Sequence, residues 1–180
     1  PCQIVADEVT IRTIEPGDKL SGLSLGLAEH QPLKTFLLRD AAKYHESNLA
    51  KTYGAFLSDS DTPKKAVGYV TLVCGEIATE AQLQAVETAT FNYPHYPALK
   101  IARLAVNKNL QGGGLGRRLT RLAIGIAKDE ICPRVGCRFV TLDAKKGSIT
   151  FYEKQGFKLL DTTENMKRDH PVMFLDLNKH

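Results

Sequence analysis

The sequence is short of several features that define specialised classes of protein. No apolar run approaches the roughly 18 to 20 residues needed to span a bilayer, and the first residues lack the basic and apolar regions of a secretory signal. We therefore expect a cytoplasmic protein without a membrane segment. Repeats are also missing, and 43% hydrophobic and 24% charged residues are ordinary values for a globular chain. A single domain over residues 1–180 is expected.

Cysteine is scarce as well. The four cysteines are too few and too scattered for a disulfide framework, so we expect free, mostly buried thiols at Cys2, Cys74, Cys132 and Cys137. Neither a Cys-x-x-Cys pair nor a His-x-x-x-His pair occurs, and no metal site is predicted.

Acidic residues are missing from one long stretch of the chain. Between positions 100 and 128 there is no Asp or Glu, whereas seven residues are basic: Lys100, Arg103, Lys108, Arg117, Arg118, Arg121 and Lys128. This concentration of positive charge favours an anionic ligand, either the phosphates of a cofactor or a nucleic-acid backbone. For Arg121 and Lys128 a solvated helix face is the simpler interpretation.

The hydrophobic periodicity predicts a mixed α/β sheet with the order β, α, β, β, β, α, β, α, β, β. Strands are expected at residues 9–14, 52–57, 66–73, 100–106, 137–144, 157–160 and 172–177, and helices at 33–50, 115–131 and 148–155. Gly156 is the expected C-terminal cap of the last helix. Residues 92–97 are expected to form a loop, because Pro94 and Pro97 cannot donate to an interior strand.

A glycine-rich segment joins one of these strands to a helix. The strand ends in Leu104, Ala105 and Val106, and "NKNLQGGGLGRRL" follows. The first N–H groups of a helix have no partner within the helix, and the helix dipole is positive at that end. Because glycines let the backbone come close to an anion, the segment predicts a phosphate-binding site.

Two common phosphate motifs do not fit this segment. A P-loop needs Lys after its last glycine, but Arg117 follows Gly116. The dinucleotide fingerprint needs a third glycine where Leu119 stands. The pattern that fits is Gln-x-x-Gly-x-Gly, formed by Gln111, Gly114 and Gly116.

Together with "FVTLDAKKGSITFYEKQGF", this pattern resembles the GCN5-related N-acetyltransferase (GNAT) superfamily, and the two blocks cover residues 98–160. The resemblance implies one N-acetyltransferase domain, whose central, mainly antiparallel sheet is flanked by helices and splayed between strands 4 and 5. Acetyl-CoA, the co-substrate, would be held by the residues around the glycines: Leu104, Ala105, Val106, Gln111, Gly112, Gly113, Gly114, Leu115, Gly116 and Arg117.

Tyr152 matches the position of the tyrosine that acts as general acid in many members of the superfamily. The chemistry is consistent with this role, because the leaving thiolate must gain a proton when an amine attacks the thioester. The general base is not identified, and Asp143, His95, Glu76 or a water relay could serve. Where members often carry Asn, this sequence has Lys145, which with Lys146 could contact the cofactor, an acidic substrate or solvent.

Two hypotheses for the molecule that accepts the acetyl group are consistent with the sequence. The first is a small amine, peptide or protein. The alternative is aminoacyl-tRNA, because "LKTFLLRDAAKYHESNLAKTYGAF" and "VGYVTL" are similar to the acetyltransferase toxins of bacterial toxin–antitoxin pairs, although "LAEHQPL" departs from their usual first helix. The alternative adds tRNA and an antitoxin as partners, and the resemblance also implies a homodimer. A third hypothesis is a domain that binds acetyl-CoA without catalysis.

Overall fold

The computed structural model describes residues 9–57, 65–78 and 93–180. Its strands are β1 (Val9–Thr13), β2 (Lys51–Leu57), β3 (Ala66–Ala78), β4 (His95–Val106), β5 (Phe139–Asp143), β6 (Lys158–Leu159) and β7 (Val172–Asp176). Its α-helices are α1 (Gln31–Arg39), α2 (Ala41–Glu46), α3 (Leu115–Gly125), α4 (Ile149–Glu153) and α5 (Thr163–Met166). None of these helices combines the length and apolar character that crossing a bilayer requires.

The seven strands form one sheet in the order β1-β2-β3-β4-β5-β7-β6. The pairs β1–β2, β2–β3, β5–β7 and β6–β7 are antiparallel. β4 pairs with β5 in parallel, from Ala98 opposite Phe139 to Ile101 opposite Leu142, and then continues to Val106. The prediction of a mixed, mainly antiparallel sheet is confirmed, and all seven predicted strands are present.

The expected loop at residues 92–97 is wrong for its second half, because β4 begins at His95 and contains Pro97. Pairing with β5 starts only at Ala98, so the missing N–H of Pro97 removes no bond from that ladder. The carbonyl of Pro97 instead accepts a hydrogen bond from the amide of Arg138 at 2.9 Å. Asn92 lies outside the described residues.

The predicted helices are right in place but not in extent. The helix expected at 33–50 is divided into α1 and α2 at Asp40, whose φ of −118° departs from helical geometry. Residues Ile126–Ile131 continue from α3 as a π-helix. The short helix α5 was not predicted, although Thr162 is a typical N-cap whose hydroxyl accepts from the amide of Asn165.

The described chain forms two compact units, and their boundaries fall within β3, β4 and α3. The first unit consists of Pro1–Val73 and Ala102–Ala123, and the second of Cys74–Ile101 and Ile124–His180. Within the first unit, Phe36 and Leu37 of α1 and Tyr69 of β3 pack in one buried cluster with Leu23 and Ala105. The Tyr69 hydroxyl donates to the carbonyl of Leu33, which ties α1 to the sheet.

The second unit has its own apolar cluster, in which Phe139 of β5 is fully buried between Ile77 and Ala98. Tyr96 and Phe174 pack edge-on against the Phe139 ring at 5.5 and 5.7 Å between centroids. Arg138 pairs with Asp176 through two hydrogen bonds of 2.9 Å, which fixes the start of β5 against the end of β7. The single-domain expectation for residues 1–180 stays a prediction.

Candidate functional site

The glycine-rich turn of the first unit has an unusual backbone. Gly112 and Gly114 have φ values of +82° and +87°, a region that side chains rarely adopt. Apart from the adjacent residues, no atom of the described part of the chain lies within 4 Å of where a Cβ would stand at either position. These glycines are therefore required by backbone conformation and not by crowding, and their outer side is open.

Some backbone amides of this turn donate hydrogen bonds within the protein, and the others do not. The amide of Gln111 donates to the carbonyl of Lys108 at 3.4 Å, and that of Gly113 donates to the carbonyl of Leu110 at 3.3 Å. Both bonds are long and weak. The first bond of α3 joins the amide of Arg118 to the carbonyl of Gly114 at 3.0 Å.

Within the described part of the chain, the remaining amides of the turn have no internal acceptor: Gly112, Gly114, Leu115, Gly116 and Arg117. The last three form the first turn of an eleven-residue helix, where the helix dipole adds positive potential. This row of donors can bind an anion with several oxygens, as a diphosphate has.

The end of β4 is held next to this turn by side chains. The side-chain nitrogen Nε2 of Gln111 donates to the carbonyl of Val106 at 3.1 Å. The Gln111 side chain therefore fixes the end of β4 and does not point to a ligand. The amide of Asn107 donates to the carbonyl of Val67 at 2.8 Å, and its side chain accepts from the amide of Asn109. Leu104 is half-buried, and Ala105 and Val106 are buried.

Gly68 in β3 is a supporting residue that the sequence reasoning missed. A Cβ at Gly68 would lie 3.0 Å from the carbonyl oxygen of Ala105 and 3.4 Å from a methyl group of Leu115. The absence of a side chain at this position therefore lets the start of α3 approach the sheet. The signal in the sequence was a glycine inside the apolar run "AVGYV", where glycine often marks a close approach.

The two arginines at the start of α3 have different surroundings. Arg117 is exposed and can reach an anion at the turn. Arg118 donates from its guanidinium to the carbonyl of Val9 at 2.9 Å, so this side chain contributes to holding β1. The sequence pattern alone does not distinguish them.

Tyr152 lies in α4 of the second unit, where its ring is 92% hidden from solvent. Phe151 and Phe157 pack edge-on against it at 4.9 and 5.7 Å between ring centroids. Burial raises the pKa of the Tyr152 hydroxyl to about 12. Within the described residues this hydroxyl has no hydrogen-bond partner, so it is protonated at neutral pH and can donate.

The end of α4 fixes the position of Tyr152. The amide of Phe157 donates to the carbonyl of Tyr152 at 3.2 Å, and the amide of Gly156 donates to that of Glu153 at 3.0 Å. With Gly156 at a φ of +92°, these bonds form a Schellman motif. The contact between the rings of Tyr152 and Phe157 is the apolar contact that accompanies this motif. The predicted cap at Gly156 is confirmed.

The candidate bases in the second unit are already paired with other groups. The carboxylate of Asp143 lies 2.5 Å from the ammonium of Lys100 and 3.4 Å from the guanidinium of Arg168. Glu76 lies 3.8 Å from His95. Lys145 is half-buried and Lys146 exposed. None of these contacts selects a base, so the identity of the base stays open.

The cysteines of the second unit, Cys74, Cys132 and Cys137, are free thiols as predicted, but the expectation that they are mostly buried is wrong, because Cys74 is exposed and the other two are half-buried. Burial raises the pKa of the Cys137 thiol to about 11, which leaves it protonated and a poor nucleophile at neutral pH. Cys2 lies outside the described residues. Over residues 9–57, 65–78 and 93–180, no group of three or more His, Cys, Asp or Glu side chains is arranged to hold a metal ion.

Solved structures with a similar fold include those of the AtaT toxin and of KacT. AtaT complexed with acetyl-methionyl-tRNAfMet is 20% identical, with a TM-score of 0.78 over 95% of this chain and 96% of that one. AtaTR bound with acetyl-CoA is 21% identical, with a TM-score of 0.77 over 96% of each chain. A tyrosine-to-phenylalanine mutant of KacT is 22% identical, with a TM-score of 0.74 over 96% of each chain.

The family is shown by the sequence itself. Residues 27–157 match the profile of the acetyltransferase (GNAT) family, a range that contains the glycine-rich turn, the end of β4 and Tyr152. The chain therefore belongs to the acetyltransferase (GNAT) family and is an N-acetyltransferase.

Proposed function

We propose that this enzyme transfers the acetyl group of acetyl-CoA to the α-amino group of an aminoacyl-tRNA, with Tyr152 as the general acid. The proposal that acetyl-CoA is the donor rests on the amides of Gly112 and of residues 114–117, which have no acceptor within the described residues. A diphosphate offers the oxygens that such a row of donors needs, and coenzyme A contains one.

The proposal that aminoacyl-tRNA is the acetyl acceptor rests on two observations. The fold matches AtaT complexed with acetyl-methionyl-tRNAfMet over nearly the whole of both chains. In addition, the acid-free stretch exposes Lys108 and Arg121 in the first unit, apart from Arg117, which is expected to contact acetyl-CoA. Exposed positive charge of this kind attracts a polyanion, whereas an uncharged amine gains nothing from it. We therefore place aminoacyl-tRNA before the small amine, peptide or protein that the sequence first suggested.

The proposed reaction is direct transfer. The neutral amine attacks the acetyl carbon, and a backbone N–H at the end of β4 stabilises the oxyanion that forms. The carbon–sulfur bond then breaks, and the thiolate takes the proton of the Tyr152 hydroxyl. The proton of the amine passes to water or to a base, and Tyr152 regains a proton from solvent before the next turnover. No acyl-enzyme is needed, which is consistent with the protonated state of Cys137.

The test is turnover of radiolabelled acetyl-CoA with purified aminoacyl-tRNA. Tyr152→Phe keeps the packing against Phe151 and Phe157 but removes the proton donor, so kcat should fall about 100-fold or more. The affinity for acetyl-CoA should stay within about twofold of the wild type. Tyr44→Phe is the matched control, since it removes a hydroxyl from an exposed tyrosine of α2 and should leave kcat unchanged.

Each alternative has its own outcome in this experiment. Acetylation of amines or peptides but not of aminoacyl-tRNA would return the acceptor to the first hypothesis. Acetyl-CoA binding without turnover on any acceptor would indicate a non-catalytic domain. Normal kcat in Tyr152→Phe would remove the proposed acid. Growth arrest on expression, relieved by Tyr152→Phe, would support a toxin, as would a small DNA-binding antitoxin encoded directly upstream.

A further inference from the structure

Arg103 is a cation in an unusual environment. It lies in β4 of the first unit and is half-buried. Its guanidinium carbon sits 3.8 Å from the centroid of the Phe36 ring, so the group is stacked on an aromatic face. Among the described residues, no carboxylate and no other hydrogen-bond acceptor pairs with it.

Two other half-buried arginines have carboxylate acceptors. Arg12 forms two hydrogen bonds with Asp18. Arg138 does the same with Asp176. A partly desolvated guanidinium normally needs such an acceptor, because removal from water is unfavourable for a charge. Arg103 thus presents a set of N–H donors that the described protein does not use.

The surroundings of Arg103 hold it in one orientation. Phe36 is stacked against Tyr69 at 6.4 Å between centroids and packs edge-on against Tyr44 at 5.7 Å. Tyr69 is in turn anchored by its hydrogen bond to Leu33. The guanidinium therefore lies on a rigid aromatic surface, and its planar fork suits an anion with two oxygens.

The position along β4 relates this cation to the reaction. Arg103 directly precedes Leu104, one of the residues at the end of β4 that are expected to hold acetyl-CoA, and consecutive Cα atoms are about 3.8 Å apart. An arginine side chain can therefore reach a part of the acceptor a few bonds away from its amine. In an aminoacyl-tRNA, the anion nearest to the amine is the phosphodiester that precedes the terminal adenosine.

We infer that Arg103 binds this last phosphodiester of the aminoacyl-tRNA and so selects acceptors that end in an aminoacylated nucleotide. The inference rests on the proposed function. It assigns Arg103 to acceptor recognition, separate from the amides that are proposed to hold acetyl-CoA. A small amine or peptide has no phosphodiester at that distance and is discriminated against.

Two small acceptors test the inference. One is the aminoacyl ester of adenosine, which has no phosphate, and the other is the aminoacyl ester of cytidylyl-adenosine, which has one phosphodiester. The wild-type kcat/KM should be about tenfold or more higher for the dinucleotide ester, the scale of a hydrogen-bonded charge pair. The preference should decrease with salt, by about 0.7 in the log–log slope for one phosphate of a single strand.

The variant Arg103→Gln should abolish this preference and leave kcat/KM for the adenosine ester unchanged. Arg103→Lys keeps the charge without the planar fork and should retain part of the preference. Arg39→Gln is the matched control, because it removes an exposed arginine from α1, the helix that carries Phe36, and should keep the full preference. The affinity for acetyl-CoA and the melting temperature report whether each variant is folded.

The outcomes separate this inference from the proposed function. If the wild type acetylates both esters with equal efficiency, the inference is wrong and the proposed function stands. If Arg103→Gln lowers kcat/KM equally for the two esters, the guanidinium does not contact the phosphodiester, and the inference is again overturned. If the wild type acetylates neither ester nor aminoacyl-tRNA, both are wrong.

Discussion

Two turns of this molecule depend on glycines with positive φ, and they use them in opposite ways. At the start of α3, the turn with Gly112 and Gly114 has several amides without acceptors among the described residues, and none of those residues fills the space where a Cβ of either glycine would stand. At the end of α4, Gly156 closes the helix, and the amides that follow are bonded to helix carbonyls. The first turn is thus suited to a ligand, whereas the second is complete by itself.

The difference shows that positive φ alone does not identify a binding site. Gly156 has Leu175 and His180 at 3.5 Å from its would-be Cβ, so the turn is packed against its own unit. Gly114 has no neighbour within 4 Å and lies beside the uncommitted amides of α3. What identifies the candidate site is the number of donors without partners, and glycine only makes that arrangement possible.

The largest effect is expected from a substitution in the glycine-rich turn at the start of α3. Gly114→Glu should strain the backbone and place a carboxylate where the diphosphate of acetyl-CoA is proposed to bind. We expect the affinity for acetyl-CoA, measured by calorimetry, to fall about 100-fold or more, which corresponds to about 2.8 kcal/mol. Affinity within about threefold of the wild type would show that acetyl-CoA does not use this turn.

Gly17→Glu is the matched control for this variant. Gly17 also has a positive φ, of +91°, also has no neighbour within 4 Å of a Cβ, and lies in the same unit, in the turn after β1. The two variants therefore share the strain and the added charge. A loss of acetyl-CoA affinity in both would trace the effect to unfolding and not to the turn at α3.

A smaller effect is expected from a substitution in the turn at the end of α4. Gly156→Ala forces a side chain into the left-handed region, which costs about 1–2 kcal/mol. The melting temperature should fall by about 2 to 8 °C, and kcat should fall with little change in acetyl-CoA affinity, because Tyr152 is held by this cap. Gly136→Ala, at an exposed position with no neighbour within 4 Å, should change the melting temperature little. Equal effects of the two variants would argue against the cap.

Much of this architecture could be predicted from local sequence. The short apolar runs "TYGAFL" and "VMFLDL" predicted β2 and β7, and the glycine after "FYEKQ" predicted the cap of α4. These signals are carried by residues close together in the chain. The glycine-rich turn was predicted in the same way, since a strand, glycines and a helix follow each other directly.

What the sequence did not reveal depends on contacts between distant residues. Gly68 matters because Ala105 and Leu115 approach it, and those positions are far away in the chain. Arg118 was placed beside Arg117 as a ligand residue, but its guanidinium reaches Val9, 109 positions away. The environment of Arg103 likewise exists only after α1 has packed on β4.

The smallest expected effect concerns the protonation of Tyr152 at the closed turn. Its pKa is raised to about 12 by burial, so in the folded protein the hydroxyl should stay protonated well above the ordinary phenol pKa of about 10. Stability therefore falls as the pH rises through this range, because Tyr152 loses its proton at a lower pH in the unfolded chain than in the folded protein. The contribution of this neutral tyrosine to folding is present below about pH 10 and is lost as the pH rises toward 12.

The difference in tyrosinate absorbance between wild type and Tyr152→Phe measures this titration directly. A midpoint near 10 would mean that the hydroxyl is open to water, and the proposed acid would then lose its protected position between Phe151 and Phe157.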